Sequence, residues 1–347
     1  MTQASTNYLD PQLLATVGSL ELRARMIVEG LMTGQHRSPY QGFSVEFAQH
    51  RQYVPGDDTR FLDWKVFGKT DKLYLKQYQK ETNLDMLILV DASGSMGYAS
   101  GRGQGVKGPR GQGKESPSAP RPLGPSAPMP WRKFDHAATL AAAMAHLALK
   151  QQDRVGVTLF DDQLRAATRL SNNQGHWRAI VEALSTVELA SNETAGSSER
   201  VDDPTQARGH TDFAGLFDRV VAKLNQRSLI VLISDLFDDA DVLEKGLARL
   251  HHRRHDVIVM QTLDPAELSF PFRAPSDFLG LEAEGRLPLD PAALREHYLE
   301  ILNEQLGAIE QIARKYRFDY LLLDTSQAMG PPLSHFLARR AAAIAKR

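Results

Sequence analysis

Met86-Leu87-Ile88-Leu89-Val90 runs without interruption into Asp91-Ala92-Ser93-Gly94-Ser95-Met96-Gly97. A short, unbroken apolar run that ends in a polar, glycine-containing loop reads as a central strand covered on both faces. Val155–Phe160, Leu229–Ile233, Val257–Met260 and Tyr320–Leu323 repeat the pattern. Helical stretches are expected between them, at Trp131–Gln151, Gln174–Ser185, Phe213–Leu224, Asp241–Leu250 and Pro291–Tyr316. The first is rich in small residues (Ala137, Ala138, Ala141, Ala145, Ala148) that permit close packing on a sheet. A hairpin partner near Leu164–Leu170 follows the Asp161-Asp162 turn. The alternation predicts an α/β fold: a doubly wound, mostly parallel sheet with helices on both faces.

An N-terminal α+β extension precedes this pattern. Residues 9–34 are expected to form a helix that stops at Gly34, and Leu73–Tyr78 a strand. The expected organisation is an N-terminal region 1–84, an α/β domain 85–330, and a C-terminal helical segment 331–347. Two stretches, near 99–130 and 190–209, lack apolar periodicity and are expected to be disordered. The first leans basic (Arg102, Lys107, Arg110, Lys114, Arg121) and the second acidic (Glu193, Glu199, Asp202, Asp203).

Composition narrows the function. The formal net charge of −1 supplies no global attraction to nucleic acid or an anionic membrane. There is no cysteine, which removes disulfides, thiolate nucleophiles and zinc–thiolate sites. The N-terminal residues lack a basic stretch followed by an apolar core, so no signal peptide is expected. The strongest apolar runs fall far short of the roughly 20 residues that a membrane span needs. A cytoplasmic location follows as the expectation.

Chemistry concentrates where the first α/β strand ends. In Asp91-Ala92-Ser93-Gly94-Ser95 a carboxylate and two hydroxyls alternate, so they can converge on one hard cation while Gly94 relaxes the backbone. Ligands of open α/β sheets collect at the carboxyl ends of strands. Asp235 lies at the carboxyl end of the strand expected at Leu229–Ile233, and Thr211 precedes the helix expected at Phe213. The candidate metal residues are therefore Asp91, Ser93, Ser95, Thr211 and Asp235. Mg²⁺ suits a sparse oxygen set because it retains water ligands, and Mn²⁺ or Ca²⁺ has related chemistry.

Together, D-x-S-x-S, a later threonine and a strand-terminal aspartate resemble the metal-ion-dependent adhesion site of von Willebrand factor A domains. Arg51-Gln52-Tyr53-Val54-Pro55-Gly56-Asp57-Asp58-Thr59-Arg60, then Leu62-Asp63-Trp64, Leu73–Lys76 and Glu81, resemble the family called domain of unknown function 58. The resemblance implies a von Willebrand factor A-like domain and a metal held by the five residues named. It implies that a partner's Asp or Glu completes the coordination, and that the chain is a non-enzymatic adaptor or co-chaperone for a MoxR-type AAA+ ATPase. The long insert after Gly97 departs from the pattern.

Other readings are weaker. A serine or metal-dependent hydrolase would use Ser95 as nucleophile, Asp235 or Asp324 as acid and His335 as base. A nucleophile elbow needs a helix directly after its turn, and an aperiodic run follows here. Gly108–Lys114 approximates a phosphate-binding loop, but Glu115 stands where Ser or Thr is required. His251-His252-Arg253-Arg254-His255 fits cations at a helix end better than a metal site. Asp57, Asp58, Arg60, Asp63 and Trp64 are expected to form a buried polar joint.

Overall fold

The computed structural model describes residues 11–34, 49–54, 62, 64–77, 84–100, 130–161, 163–186, 226–273, 276–279 and 286–345, with a few positions between 215 and 224. The inserts near 99–130 and 190–209 lie almost wholly outside these residues, as do Thr211 and half of the helix expected at Phe213–Leu224. In chain order the elements are α1 (Pro11–Ala15), α2 (Leu20–Gly34), β1 (Gln49–Gln52), α3 (Trp64–Thr70), β2 (Tyr74–Gln77), β3 (Asp85–Asp91) and α4 (Lys133–Lys150). They continue with β4 (Arg154–Phe160), β5 (Leu164–Ala167), α5 (His176–Thr186), β6 (Leu229–Ser234), α6 (Ala240–His252), β7 (Asp256–Leu263) and α7 (Pro265–Ser269). β8 (Ser276–Leu279), β9 (Arg286–Leu289), α8 (Pro291–Lys315), β10 (Asp319–Asp324) and α9 (Gly330–Ala345) follow among the described residues.

Two compact units are distinguished. One comprises Met1–Thr33 with Leu84–Arg347, the other Gly34–Asn83. In the smaller unit β1 and β2 pair antiparallel, Gln49 opposite Gln77. Trp64 opens α3. Its ring meets Phe67 edge-on at 6.2 Å, a contact within one helix face. Asp57, Asp58, Arg60 and Asp63 lie outside the described residues.

In the larger unit the six-stranded sheet runs β10-β7-β6-β3-β4-β5. All neighbours are parallel except β5, which returns antiparallel on β4 as the expected hairpin partner. Counted by domain order from β3, this is 3-2-1-4-5-6, the doubly wound order in which the direction of strand addition reverses between the first and fourth strands. The switch point lies between β3 and β6. Both strands are buried along their whole length, which explains why their sequences are apolar without alternation.

Helices cover both faces. On one, α4 lays a continuous small-residue surface on the sheet, with Ala137, Ala141, Ala145 and Ala148 fully buried. Trp177 of α5 donates its indole N–H to the Ala142 carbonyl at 3.1 Å, satisfying its buried polar atom. The N-terminal helices join this core through Leu14, Ala24, Ile27 and Val28. The helix expected over 9–34 is two helices, because Thr16 and Val17 cap α1 on Leu13 and Leu14 and the chain restarts after Ser19. On the opposite face α6 and α8 pack Leu243, Leu247, Ile309 and Ile312 against Ile230, Leu232 and Val259. Among the described residues no helix is long and apolar enough to cross a membrane.

Candidate functional site

β3 and β6 pair in register from Met86 opposite Leu229 to Val90 opposite Ile233. Their next residues, Asp91 and Ser234, therefore emerge side by side at the switch point, and Asp235 follows immediately. Asp91 is buried, and each of its oxygens has a donor. Oδ1 accepts the Ser93 backbone N–H at 2.8 Å and Oδ2 accepts the Ser234 hydroxyl at 2.5 Å. Ala92 stays in the sheet through its N–H to the Phe160 carbonyl. Gly94–Gly97 then makes a single 3₁₀ turn. That turn brings the Ser93 and Ser95 hydroxyl oxygens within 3.0 Å of each other.

Asp235 is equally buried. Its backbone is held by Gln261 of β7, which donates from Nε2 to the Asp235 carbonyl at 2.8 Å and accepts from the Tyr320 hydroxyl at 2.8 Å. Leu236, buried, follows with φ of 54°. That left-handed conformation is costly for a branched residue and is retained only where surrounding contacts enforce it. The Leu236 N–H bonds back to Ser234 Oγ at 3.0 Å, and Gln305 of α8 donates to its carbonyl at 2.8 Å. The strain sits directly beside a candidate metal residue.

The Asp235 side chain meets Lys133. The Lys133 ammonium donates to Asp235 Oδ2 at 2.8 Å and to Glu267 Oε1 at 2.7 Å, and the residue is fully buried. Its two carboxylates hold its pKa above the ordinary lysine value despite burial. Glu267 belongs to a capping box at the start of α7: its Oε2 accepts the Asp264 N–H, and Asp264 accepts the Ala266 N–H. The Phe237 ring lies 5.0 Å from the Lys133 ammonium and is 41% exposed, marking the solvent edge. Burial, followed by the nearby Asp235 charge, pushes the Asp91 carboxyl up to about 7. Two buried carboxylates beside hydroxyl oxygens make a strongly cation-attracting cluster.

Of the five residues expected at the metal, Asp91, Ser93, Ser95 and Asp235 converge at the switch point, and Thr211 lies outside the described residues. Ser234, Lys133 and Glu267 were not anticipated. Ser234 carried a usable signal, since a hydroxyl ending a buried strand beside Asp235 must find a partner. Asp264-Pro265-Ala266-Glu267 is legible as a capping box, but that pattern says nothing about Lys133. The residues of the hydrolase reading are differently engaged: His335 pairs with Asp319 at 3.2 Å, and Asp324 accepts from Ser326. The 3₁₀ turn leads to Tyr98, whose carbonyl accepts the Lys133 N–H at 3.0 Å, so α4 begins beside the loop only after the long insert.

The family model described as protein of unknown function DUF58 matches residues 49–107 and 126–306. The chain belongs to that family. Relatives include uncharacterized protein Rv1480 of Mycobacterium tuberculosis (strain ATCC 25618 / H37Rv) and uncharacterized protein Mb1516 of Mycobacterium bovis. Each is 23% identical over 262 residues, which cover 76% of this chain and 68% of the relative. Similar solved structures include conserved hypothetical protein BatB from Bacteroides thetaiotaomicron, 14% identical with a TM-score of 0.44, covering 75% of this chain and 99% of that one. The SpRpn10 VWA domain is 11% identical with a TM-score of 0.34, covering 72% of this chain and 92% of its own. Membership of the DUF58 family agrees with the resemblance read from the Arg51–Trp64 signature, and the doubly wound sheet with the expected fold class.

Proposed function

We propose that this chain is a protein-interaction module whose binding depends on a divalent cation held at the β3–β6 switch point. The observation that carries the reading is the convergence of Asp91 and Asp235 on the two strands flanking that point, with the Ser93 and Ser95 hydroxyls 3.0 Å apart beside them. The donor set suits Mg²⁺, with Mn²⁺ or Ca²⁺ as related occupants: it is all oxygen, sparse, and leaves room for water and one further ligand. Asp91, Ser93 and Ser95 would hold the cation, Asp235 would face it, and Thr211 would complete the set. When bound, the cation supplies a Lewis-acidic position for a partner's carboxylate.

The chain's own residues prepare that position. The Ser93 N–H and Ser234 hydroxyl fix the plane of the Asp91 carboxylate, as outer hydrogen bonds do for metal ligands. Gln261 and Gln305 hold the carbonyls of Asp235 and Leu236. Binding rather than hydrolysis is favoured because His335, the base of the hydrolase reading, is paired with Asp319. A MoxR-type AAA+ ATPase is the partner implied by the family resemblance, with this chain as adaptor or co-chaperone. Capture of partners on immobilised protein in Mg²⁺ and in excess chelator tests the function. A partner released by chelator, and lost in Asp91→Ala, is the expected result; a partner retained under both conditions overturns the proposal.

A further inference from the structure

Lys133 is an anomaly on energetic grounds. It is the first residue of α4, where the helix dipole disfavours a cation. It is also fully buried, which an ammonium tolerates only when paired. Both costs are offset by Asp235, which follows β6, and Glu267 of α7. Asp264, the other buried carboxylate here, is met by the N–H groups of Ala266 and Ser100. Around the switch point the carboxylates of Asp91, Asp235, Asp264 and Glu267 outnumber the one ammonium, which Asp235 and Glu267 share.

We infer that Lys133 is the site's resident cation, a residue that sets divalent affinity and keeps the loaded site receptive to an acidic ligand. The inference rests on the metal-dependent reading above. With Lys133 present, part of the cluster's negative charge is cancelled, and a cation held there would still attract an incoming carboxylate. With the ammonium removed, the cation sits in a more negative cluster: it is held more tightly, and an incoming carboxylate is opposed. Lys133 also occupies Asp235 Oδ2, so this aspartate has one oxygen left to turn toward a cation. It is a positioning residue, acting through Asp235 rather than on a ligand directly.

The test uses the full chain, Mn²⁺ as the cation probe and acetate as the carboxylate probe. Mn²⁺ binding is followed by calorimetry, and acetate binding to the Mn²⁺-loaded protein by water-proton relaxation. Lys133→Met is expected to bind Mn²⁺ roughly tenfold or more tightly and acetate more weakly than the parent, since one charge at close range in a partly dry site is a large effect. Glu267→Gln, which removes a negative charge on the far side of the ammonium, is expected to bind Mn²⁺ several-fold more weakly; it also serves should Lys133→Met not fold. Saturable Mn²⁺ binding in the parent that is unchanged in Glu267→Gln, or unchanged or weakened in a folded Lys133→Met, overturns the inference and leaves the metal reading standing. Tighter Mn²⁺ with unaltered acetate binding overturns the second half alone. No saturable Mn²⁺ binding by the parent overturns both.

Discussion

Ser234 donates its hydroxyl to Asp91 Oδ2 at 2.5 Å, joining the last residue of β6 to the last residue of β3 across the switch point. The same hydroxyl oxygen accepts the Leu236 N–H. One small side chain thus orients the central carboxylate and anchors the strained turn after Asp235. Ser234→Ala is expected to lower Mn²⁺ affinity by about tenfold, the usual consequence of losing a hydrogen bond to a metal ligand. Its stability cost is about 1 kcal/mol, with a buried carboxylate oxygen left without its donor. Calorimetric titration and urea unfolding of the same variant separate the two effects.

Asp91→Asn is expected to stabilise the cation-free protein while abolishing its response to Mn²⁺. The Asp91 carboxyl, ordinarily at 3.8, is raised to about 7 by burial and by Asp235. The folded chain therefore binds more protons than the unfolded one between about pH 4 and 7, and stability falls as pH rises through that window. At pH 8 the whole penalty is present, and the uncharged amide avoids it, a gain on the order of 1–3 kcal/mol. Thermal melts in chelator and in Mn²⁺ give the comparison. A parent protein with no Mn²⁺ response would count against the site.

His136, buried in α4, has the opposite sign. Burial lowers its pKa from 6.5 to about 4, so its contribution is intact above pH 6.5 and is lost as pH falls toward 4. This loss opposes the Asp91 trend over the same range. The acid-side slope is therefore best read in the Asp91→Asn background, where adding His136→Gln should flatten it by up to about 3 kcal/mol between pH 6.5 and 4. Urea midpoints at several pH values are the measurement.

Asp153 ties three parts of the larger unit together. Its Oδ1 accepts the Leu84 N–H at 3.2 Å, and its Oδ2 pairs with Arg340 of α9, both side chains being nearly dry. Arg340→Ala leaves a buried carboxylate without its cation and is expected to cost about 3–5 kcal/mol. A surface pair such as Arg314 with Glu310 should cost under about 1 kcal/mol. Chemical denaturation of both variants tests the contrast.

The alanine surface of α4 is a packing device. Ala141 is fully buried against the sheet, so Ala141→Leu must displace neighbours or rotate out of its preferred conformation. An overpacking cost of about 1–3 kcal/mol or more is expected. Ala141→Gly tests the reverse, losing about 1 kcal/mol through helix propensity.

Legibility followed the range of the forces involved. The strands Met86–Val90 and Leu229–Ile233 were readable because double-sided burial demands continuous apolar residues, and α4 was readable from its small-residue face. The break in the N-terminal helix at Thr16–Ser19 was missed because the apolar periodicity continues across a turn closed by backbone bonds.

The Asp91 loop itself was plain in the amino-acid order. Alternating oxygen donors after an apolar strand are a local property, and local chemistry is written residue by residue. That Asp91 lies beside Ser234, that Asp235 is shared with Lys133, and that Glu267 closes the same network were decided by tertiary structure alone. These residues are 102 to 143 positions apart where paired across strands and helices, and strand order rather than sequence spacing brings them together. Charge compensation in a buried site is a property of the assembled switch point, which no segment carries by itself.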